Sequence, residues 1–479
     1  MKAFIFRDKQ NISYLYSHAK HRIVYLNNVL CFFVQQYLKN SSIDICVPEL
    51  AMIDGAQIKQ NLIRFNFLLD RGFLKETKSE YITDVLPENI PNDLETITNI
   101  CFEMTEKCNL SCVYCCYGDL YEQTANRCGR NLDNRIAYCI IDEICKKTVI
   151  KRNISAKRIV TLGFYGGEPL LRFSQIKHIV LYAKEKENEN LHFDFQMTTN
   201  LLLIDKYIDF LAENDCRVTI SLDGDYISSS YRLTPNGINP YNQIYKNIQT
   251  IIEKYPSYFD SFITFNTVLH DKNSIVETTR YFYDNFKKTT TFSILVTQKV
   301  QKDKKSILNK LYKELHYDHN AILEILPNKD YLQMNHEIRA CEAFFDKLLN
   351  RTKSNLSDLL CEYHYKEFPA ASCLPFVNKL FVSADGKLHL CEHVGFNYSI
   401  GYVDWECGEI MFDRNELAQK YSQYFKRMDM ICKKCALKAF CTTCIFQSHF
   451  KCTPKDESIL ANKIQSSIEL LKIKHKLEV

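Results

Sequence analysis

The chain has 479 residues, 46% of them hydrophobic, and a formal net charge of +4 from 61 basic and 57 acidic side chains. That leaves room for two or three domains of ~100–200 residues with real cores. The small charge, with no long basic run, excludes nucleic acid as the expected partner. Met1–Arg7 lacks the apolar core of a signal peptide, and Ile23–Tyr37, interrupted by Asn27, Asn28, Gln35 and Gln36, is too short and polar to span a bilayer. A cytoplasmic protein with no membrane partner is expected, and 21 cysteines in that compartment argue for metal rather than disulfides.

Residues 1–95 read as a small N-terminal α+β domain. Three strand-like runs near 3–6, 12–16 and 22–26 are rich in β-branched and aromatic residues. Helical patterns follow near 27–38 and 56–69, the second stopped at Arg71-Gly72. Pro87, Pro91, Asp93 and Glu95 mark a linker. From 96 to 320 strands alternate with amphipathic helices. The strand candidates are 100–104, 159–164, 193–197, 218–222, 262–269 and 292–296, and the helices are 133–146, 173–186, 205–213, 241–254 and 274–286. Such alternation predicts an α/β fold with a parallel sheet and right-handed crossovers. Residues 321–360 read as a helical linker, and 361–479 as a cysteine-rich irregular domain closed by an amphipathic helix over 458–474. Lys302–Lys305 and Lys472–Lys476 read as solvated surface.

Cys108, Cys112 and Cys115, with Tyr114 before the last, place three thiols within eight residues behind the first barrel strand. This resembles the Cys-x3-Cys-x-aromatic-Cys signature of the radical S-adenosylmethionine (SAM) superfamily. There, three thiolates hold a 4Fe–4S cluster whose fourth iron is left for SAM, whereas electron-transfer clusters usually take four cysteines. The resemblance implies a partial (β/α)6 TIM-like barrel, with reactive groups on loops after the strand C-termini.

Gly166-Gly167-Glu168-Pro169, after the second strand, matches the segment that binds the SAM amino group. There the glycines permit close backbone approach and a carboxylate accepts from an ammonium. Thr199 and Asn200, then Ser221 and Asp223, resemble the ribose- and carboxylate-contacting positions. Ser221 and Arg232 are the candidates for ribose and carboxylate, since a guanidinium fork suits a carboxylate.

Cys373, Cys391, Cys432, Cys435, Cys441, Cys444 and Cys452 resemble the SPASM extension, which carries two auxiliary iron–sulfur clusters in peptide- and protein-modifying radical enzymes. Carried over, one cluster takes Cys373, Cys391 and Cys444, and the other Cys432, Cys435, Cys441 and Cys452. The first lacks a fourth cysteine close before Cys373; either Cys361 reaches it from further away or an iron site stays open to substrate. A hairpin over 380–390 turns at Asp385-Gly386. The spacing of Cys432, Cys435, Cys441 and Cys444 also suits zinc. Glu392, beside Cys391, stands where sulfatase-maturing relatives carry a general base.

The resemblance, over residues 98–455, implies a peptide maturase that forms thioether or carbon–carbon cross-links on a ribosomally made peptide. A reducing donor such as flavodoxin or ferredoxin would supply electrons. The runner-up is an anaerobic sulfatase maturase generating formylglycine. A zinc-binding regulatory or scaffold protein is the alternative of another class.

Overall fold

The computed structural model describes residues 3–478 other than 9, 21, 77–82, 92, 123–126, 151–156, 298–299, 315–316, 328–329, 332–337, 339, 343, 346–372, 393, 395–397, 438–440, 442–445 and 447–451, with backbone only for 147–150 and 476–478. The chain divides into two compact units. The first comprises 1–85, 335–372 and 419–479, and the second 86–334 and 373–418.

In the first unit β1 (Phe4–Arg7), β2 (Ser13–Ser17) and β3 (Arg22–Leu26) form an antiparallel sheet in that order. Alternation along the strands gives each face its own core. Leu15 and Leu26 lie on one side with Leu30, Phe33 and Val34 of α1 (Asn28–Asn40) and Phe65 and Leu68 of α2 (Gly55–Asp70). Phe4, Phe6 and Tyr16 lie on the other, against Leu460 and Ile464 of the final helix Glu457–Glu478. Asn27 caps α1 by accepting from Leu30 N at 2.9 Å. The small N-terminal domain is thus completed by the chain's last helix, a pairing that sequence order does not reveal.

The second unit is built on a ten-stranded sheet. Its six parallel strands are β4 (Ile97–Thr105), β5 (Arg158–Gly166), β6 (Leu191–Thr199), β7 (Arg217–Ser221), β8 (Ile263–Leu269) and β9 (Thr290–Ile294), neighbours in chain order. The crossovers carry α3 (Asn134–Ile150), α4 (Phe173–Glu185), α5 (Ile208–Glu213), α6 (Tyr241–Lys254), α7 (Pro256–Phe262) and α8 (Ile275–Phe286). Further on, α9 (Lys305–Leu311) and α10 (His319–Leu323) follow. This is the partial α/β barrel expected.

The hairpin expected at 380–390 is β10 (Asn378–Val382) and β11 (Lys387–His389), with Gly386 at φ +80° in its turn. It is not confined to an irregular domain. β10 pairs in parallel with β4, and β12 (Gly401–Asp404) and β13 (Glu409–Met411) continue the sheet outward. The region 361–479 read from sequence as one domain is therefore divided between the units, and its described part contains a 19-residue helix, Arg414–Cys432.

Along β6 buried and half-buried residues alternate strictly. The buried set faces the helices, and the half-buried set, with Gln196 and Thr198, faces the barrel interior. Cross-strand register puts Glu103 beside Tyr165, and Ser221 beside Asn266, on that interior face.

Candidate active site

Four strand ends converge, each followed by one of the motifs. β4 runs into the loop bearing Cys108, Cys112 and Cys115, and β5 into Gly166-Gly167-Glu168-Pro169. Gly167 N donates to Thr105 O at 2.8 Å, and Glu168 N to Lys107 O at 2.9 Å. A Cβ on Gly167 would sit 2.0 Å from Lys107 O, and one on Gly166, at φ +129°, 2.4 Å from Thr105 O. Both glycines are thus required by the approach of this turn to the cysteine loop. From sequence that close approach is expected towards a ligand; the packing of the turn on the cysteine loop requires it as well.

Pro169 opens the short helix after the turn. Glu168 is buried at 1% exposure and held by three donors: Thr199 Oγ1 at 2.6 Å, Asn200 N at 2.9 Å and Leu170 N at 3.1 Å. Burial pushes its pKa up to about 7 against those hydrogen bonds. Thr199 and Asn200 therefore orient the carboxylate first. Asn200 Nδ2 also donates to Asn109 Oδ1 at 2.7 Å and lies 3.9 Å from Cys108 Sγ.

Asp223 is fully buried. It accepts from Arg232 at 2.9 and 3.0 Å, from Val268 N at 3.0 Å and from the Tyr114 hydroxyl, with His270 Nε2 at 3.6 Å. Lys272 N donates to His270 Nδ1 at 3.2 Å. Burial alone would raise Asp223, but the Arg232 charge and the hydrogen bonds from His270, Arg232 and Tyr114 bring it down to about 2. With its oxygens so engaged, Asp223 positions Arg232 and Tyr114 and has little left for a ligand. Arg232 retains Nη1, and the Ser221 hydroxyl has no hydrogen-bond partner among the described residues.

A cavity of about 240 Å³ is lined by the three thiols, Gly166, Gly167, Glu168, Thr199, Asn200, Ser221 and Arg232. Sequence reasoning missed its other walls: Cys116, Tyr117 and Tyr165, and Asn266, Ser293 and Leu295 from β8, β9 and just beyond. The signal for these was strand alternation, once the register is known.

A hydrogen bond from the Cys116 thiol, opposed by burial, lowers Cys115, while Cys116 itself is pushed well above its usual range. Burial raises Cys108 to about 11 and Cys112 to about 12. Among the described residues no three His, Cys, Asp or Glu side chains are gathered to grip a single ion. Zinc, at about 2.3 Å from each thiolate, would draw sulfurs to about 3.8 Å apart. Three thiols spread along one cavity wall, with one already biased to thiolate, fit a wider iron–sulfur cluster. Glu168 beside them fits an ammonium ligand.

The model of the Radical SAM superfamily matches residues 102–280, from within β4 into α8. Residues 102–280 form a radical SAM domain. Similarity to individual proteins extends further along the chain and is weaker. A cysteine-type anaerobic sulfatase-maturating enzyme of Clostridium novyi is 24% identical over 361 residues, 70% of this chain and 84% of the relative. The radical SAM cyclopropyl synthase TigE of Paramaledivibacter caminithermalis is 26% identical over 252 residues, 49% of each chain. A solved structure, native anSMEcpe with bound AdoMet, aligns with a TM-score of 0.52 and 16% identity over 79% of this chain and 99% of that one. At that identity the two share a fold.

Beyond the radical SAM domain, Cys373, Cys391 and Glu392 lie in the same compact unit. Glu392 accepts from Lys379 Nζ at 2.6 Å. Burial opposes the Lys379 ammonium, but the charge and hydrogen bond of Glu392, together with Cys101 and Cys391, raise the Lys379 pKa. In the first unit, Cys435 Sγ accepts from Lys455 N at 3.3 Å. Burial and the nearby Cys441, Cys435 and Cys452 push Cys432 up to about 12, so these four thiols share a neighbourhood. Cys361 and Cys444 fall outside the described residues. Among the described residues no helix is long and apolar enough to cross a membrane.

Proposed function

We propose that the chain is a radical SAM maturase that modifies a peptide or protein, with cross-linking of a ribosomally made peptide as the favoured reaction. The observation that carries this is the single cavity joining three thiols, Glu168, Ser221 and Arg232. A 4Fe–4S cluster held by Cys108, Cys112 and Cys115 supplies, with SAM, one-electron chemistry that generates a 5′-deoxyadenosyl radical. The residues around it bind and orient. Glu168 receives the SAM ammonium, Arg232 Nη1 reaches its carboxylate, and Ser221 hydrogen-bonds the ribose. Tyr165, Val268 and Leu295 keep water from the reacting carbon.

Glu392, which accepts from Lys379 Nζ, is the proposed proton acceptor near the substrate. Cys432, Cys435, Cys441 and Cys452 are the proposed ligands of one auxiliary cluster. Cys373 and Cys391, in the second unit, are proposed ligands of another.

The peptide reading draws on the two curated relatives, whose names describe a sulfatase maturase and a cyclopropyl synthase. It draws also on β3, whose outer edge pairs with no strand among the described residues and offers backbone groups to an added peptide strand. The test is anaerobic incubation with SAM, reductant and either a short cysteine-rich peptide encoded beside this gene or a cysteine-type sulfatase peptide. Loss of two hydrogens from the first supports cross-linking. An aldehyde on the second, with the first unchanged, makes this chain a sulfatase maturase instead.

A further inference from the structure

Glu103, on β4, is a fully buried carboxylate that faces the barrel interior beside Tyr165. Its two oxygens go to different parts of the chain. Oε1 accepts from Arg127 Nη1 at 2.8 Å, and Oε2 accepts from Ala384 N at 3.0 Å. Burial raises the Glu103 pKa, and Arg127 and Ala384 N pull the other way.

Each partner belongs to a different wall of the site. The Arg127 side chain is 6% exposed, and its guanidinium lies 3.9 Å from the centre of the Tyr117 ring. Such stacking holds ring and guanidinium together. Tyr117, set edgewise to Tyr165 at 6.5 Å between ring centres, lines the 240 Å³ cavity with it. Ala384 lies in the turn between β10 and β11, and β11 leads within three residues to Cys391 and Glu392. Burial, then Cys116 and Glu392, push the Tyr165 phenol well above its usual range, so Glu392 stands within electrostatic reach of the same wall. A second clasp lies alongside. Arg130 donates to Glu106 Oε1 at 2.7 and 2.9 Å, and its Nη1 stands 3.5 Å from Asp385 Oδ2 in the hairpin turn. All these residues fall in the second unit.

We infer that Glu103 is a positioning residue for substrate chemistry, clasping the Tyr117 wall of the cavity through Arg127 and the hairpin that carries Glu392 through Ala384 N. The inference rests on the proposed reading of Glu392 as the substrate's proton acceptor. Desolvation offsets much of the attraction in a buried ion pair, so this pair contributes chiefly through the geometry it fixes. An apolar side chain at 103 could fill the space but could not accept from a guanidinium and a hairpin amide at once. The groups assigned to SAM, Glu168, Ser221 and Arg232, are held by other contacts, so the clasp acts on the substrate's side of the cavity.

The variants are Glu103→Gln, which keeps the shape and removes the charge, and Arg127→Lys, which keeps a cation for Glu103 and removes the planar stack on Tyr117. In the metal-free protein, the Ala384 amide should exchange its hydrogen about tenfold faster in Glu103→Gln and near the wild-type rate in Arg127→Lys. SAM affinity by calorimetry, and 5′-deoxyadenosine release under dithionite without peptide, should stay within about twofold of wild type in both. The peptide is whichever of the two named above the wild type modifies. Modified peptide per 5′-deoxyadenosine should fall about 10- to 100-fold in Glu103→Gln, the scale of a small misplacement, and less in Arg127→Lys. A wild-type ratio in both variants overturns the inference. So does an equal fall in peptide-free cleavage and in product, which makes Glu103 a support of the fold alone. If the wild type modifies neither peptide, the proposed function fails, and the Ala384 exchange judges the clasp by itself: unmoved in Glu103→Gln, it overturns the inference.

Discussion

The backbone of Gly167 lies so close to Lys107 that a Cβ on the glycine would stand 2.0 Å from the lysine carbonyl oxygen. The turn carrying Glu168 and the loop carrying Cys108 are thus one backbone-bonded assembly. Gly167→Ala must push them apart, at a cost of about 1–3 kcal/mol for forced backbone displacement. We expect a lower Tm and less iron per chain after anaerobic reconstitution. Gly237→Ala, at φ +78° with nothing within 4 Å of the added carbon, is the control for backbone strain alone. It should lower Tm modestly and leave iron content unchanged.

Glu168 ties ligand affinity to pH. Its folded-state pKa, raised to about 7, means the fold disfavours the carboxylate, so this group opposes stability increasingly as pH rises from the ordinary carboxyl range towards 7. A bound ammonium reverses the preference. SAM affinity should therefore rise from pH 5.5 to 7.5, by up to about tenfold per unit below 7. Titration calorimetry should find weaker, pH-independent binding in Glu168→Gln. A wild-type affinity flat across that window contradicts the assignment.

Much of this site was legible in the sequence because each motif follows a strand whose apolar run is local and periodic. The triplet, Gly166, Gly167, Glu168, Thr199, Asn200 and Ser221 all line one cavity. Asp223 was read as a ligand contact because its partners, Arg232 and His270, come from elsewhere in the chain. The parallel pairing of β10 with β4 joins residues about 280 positions apart and leaves no local trace. The helix Arg414–Cys432 did leave one: Leu417, Tyr421, Phe425, Met428 and Cys432 are buried at three- and four-residue intervals. The density of cysteines around it read instead as irregular structure.

The Asp223–Arg232 pair sets a second expectation. Asp223→Asn leaves a buried guanidinium without its countercharge, at about 3–5 kcal/mol. Urea denaturation of the metal-free protein should register that loss near pH 7. In the wild type the depressed carboxyl keeps the pair's contribution present above the ordinary carboxylate range and loses it only as pH falls through about 2. A variant as stable as wild type would show that the pair is not what holds Tyr114 and Arg232.

Glu392 separates radical generation from substrate chemistry. If it takes the substrate proton, Glu392→Gln should still release 5′-deoxyadenosine yet form little modified peptide, about 10²-fold less at the scale of general-base catalysis. Mass spectrometry of the peptide beside chromatography of the nucleoside reads both. Full product formation would leave Glu392 a partner of Lys379 and nothing more.

The triplet carries the account's central claim, and its most direct test is 5′-deoxyadenosine released from SAM under dithionite. The wild-type chain should release it. The Cys108→Ala/Cys112→Ala/Cys115→Ala variant should release none, while retaining the absorbance of iron bound by the other cysteines. Cleavage by the triple variant at the wild-type rate would contradict the account.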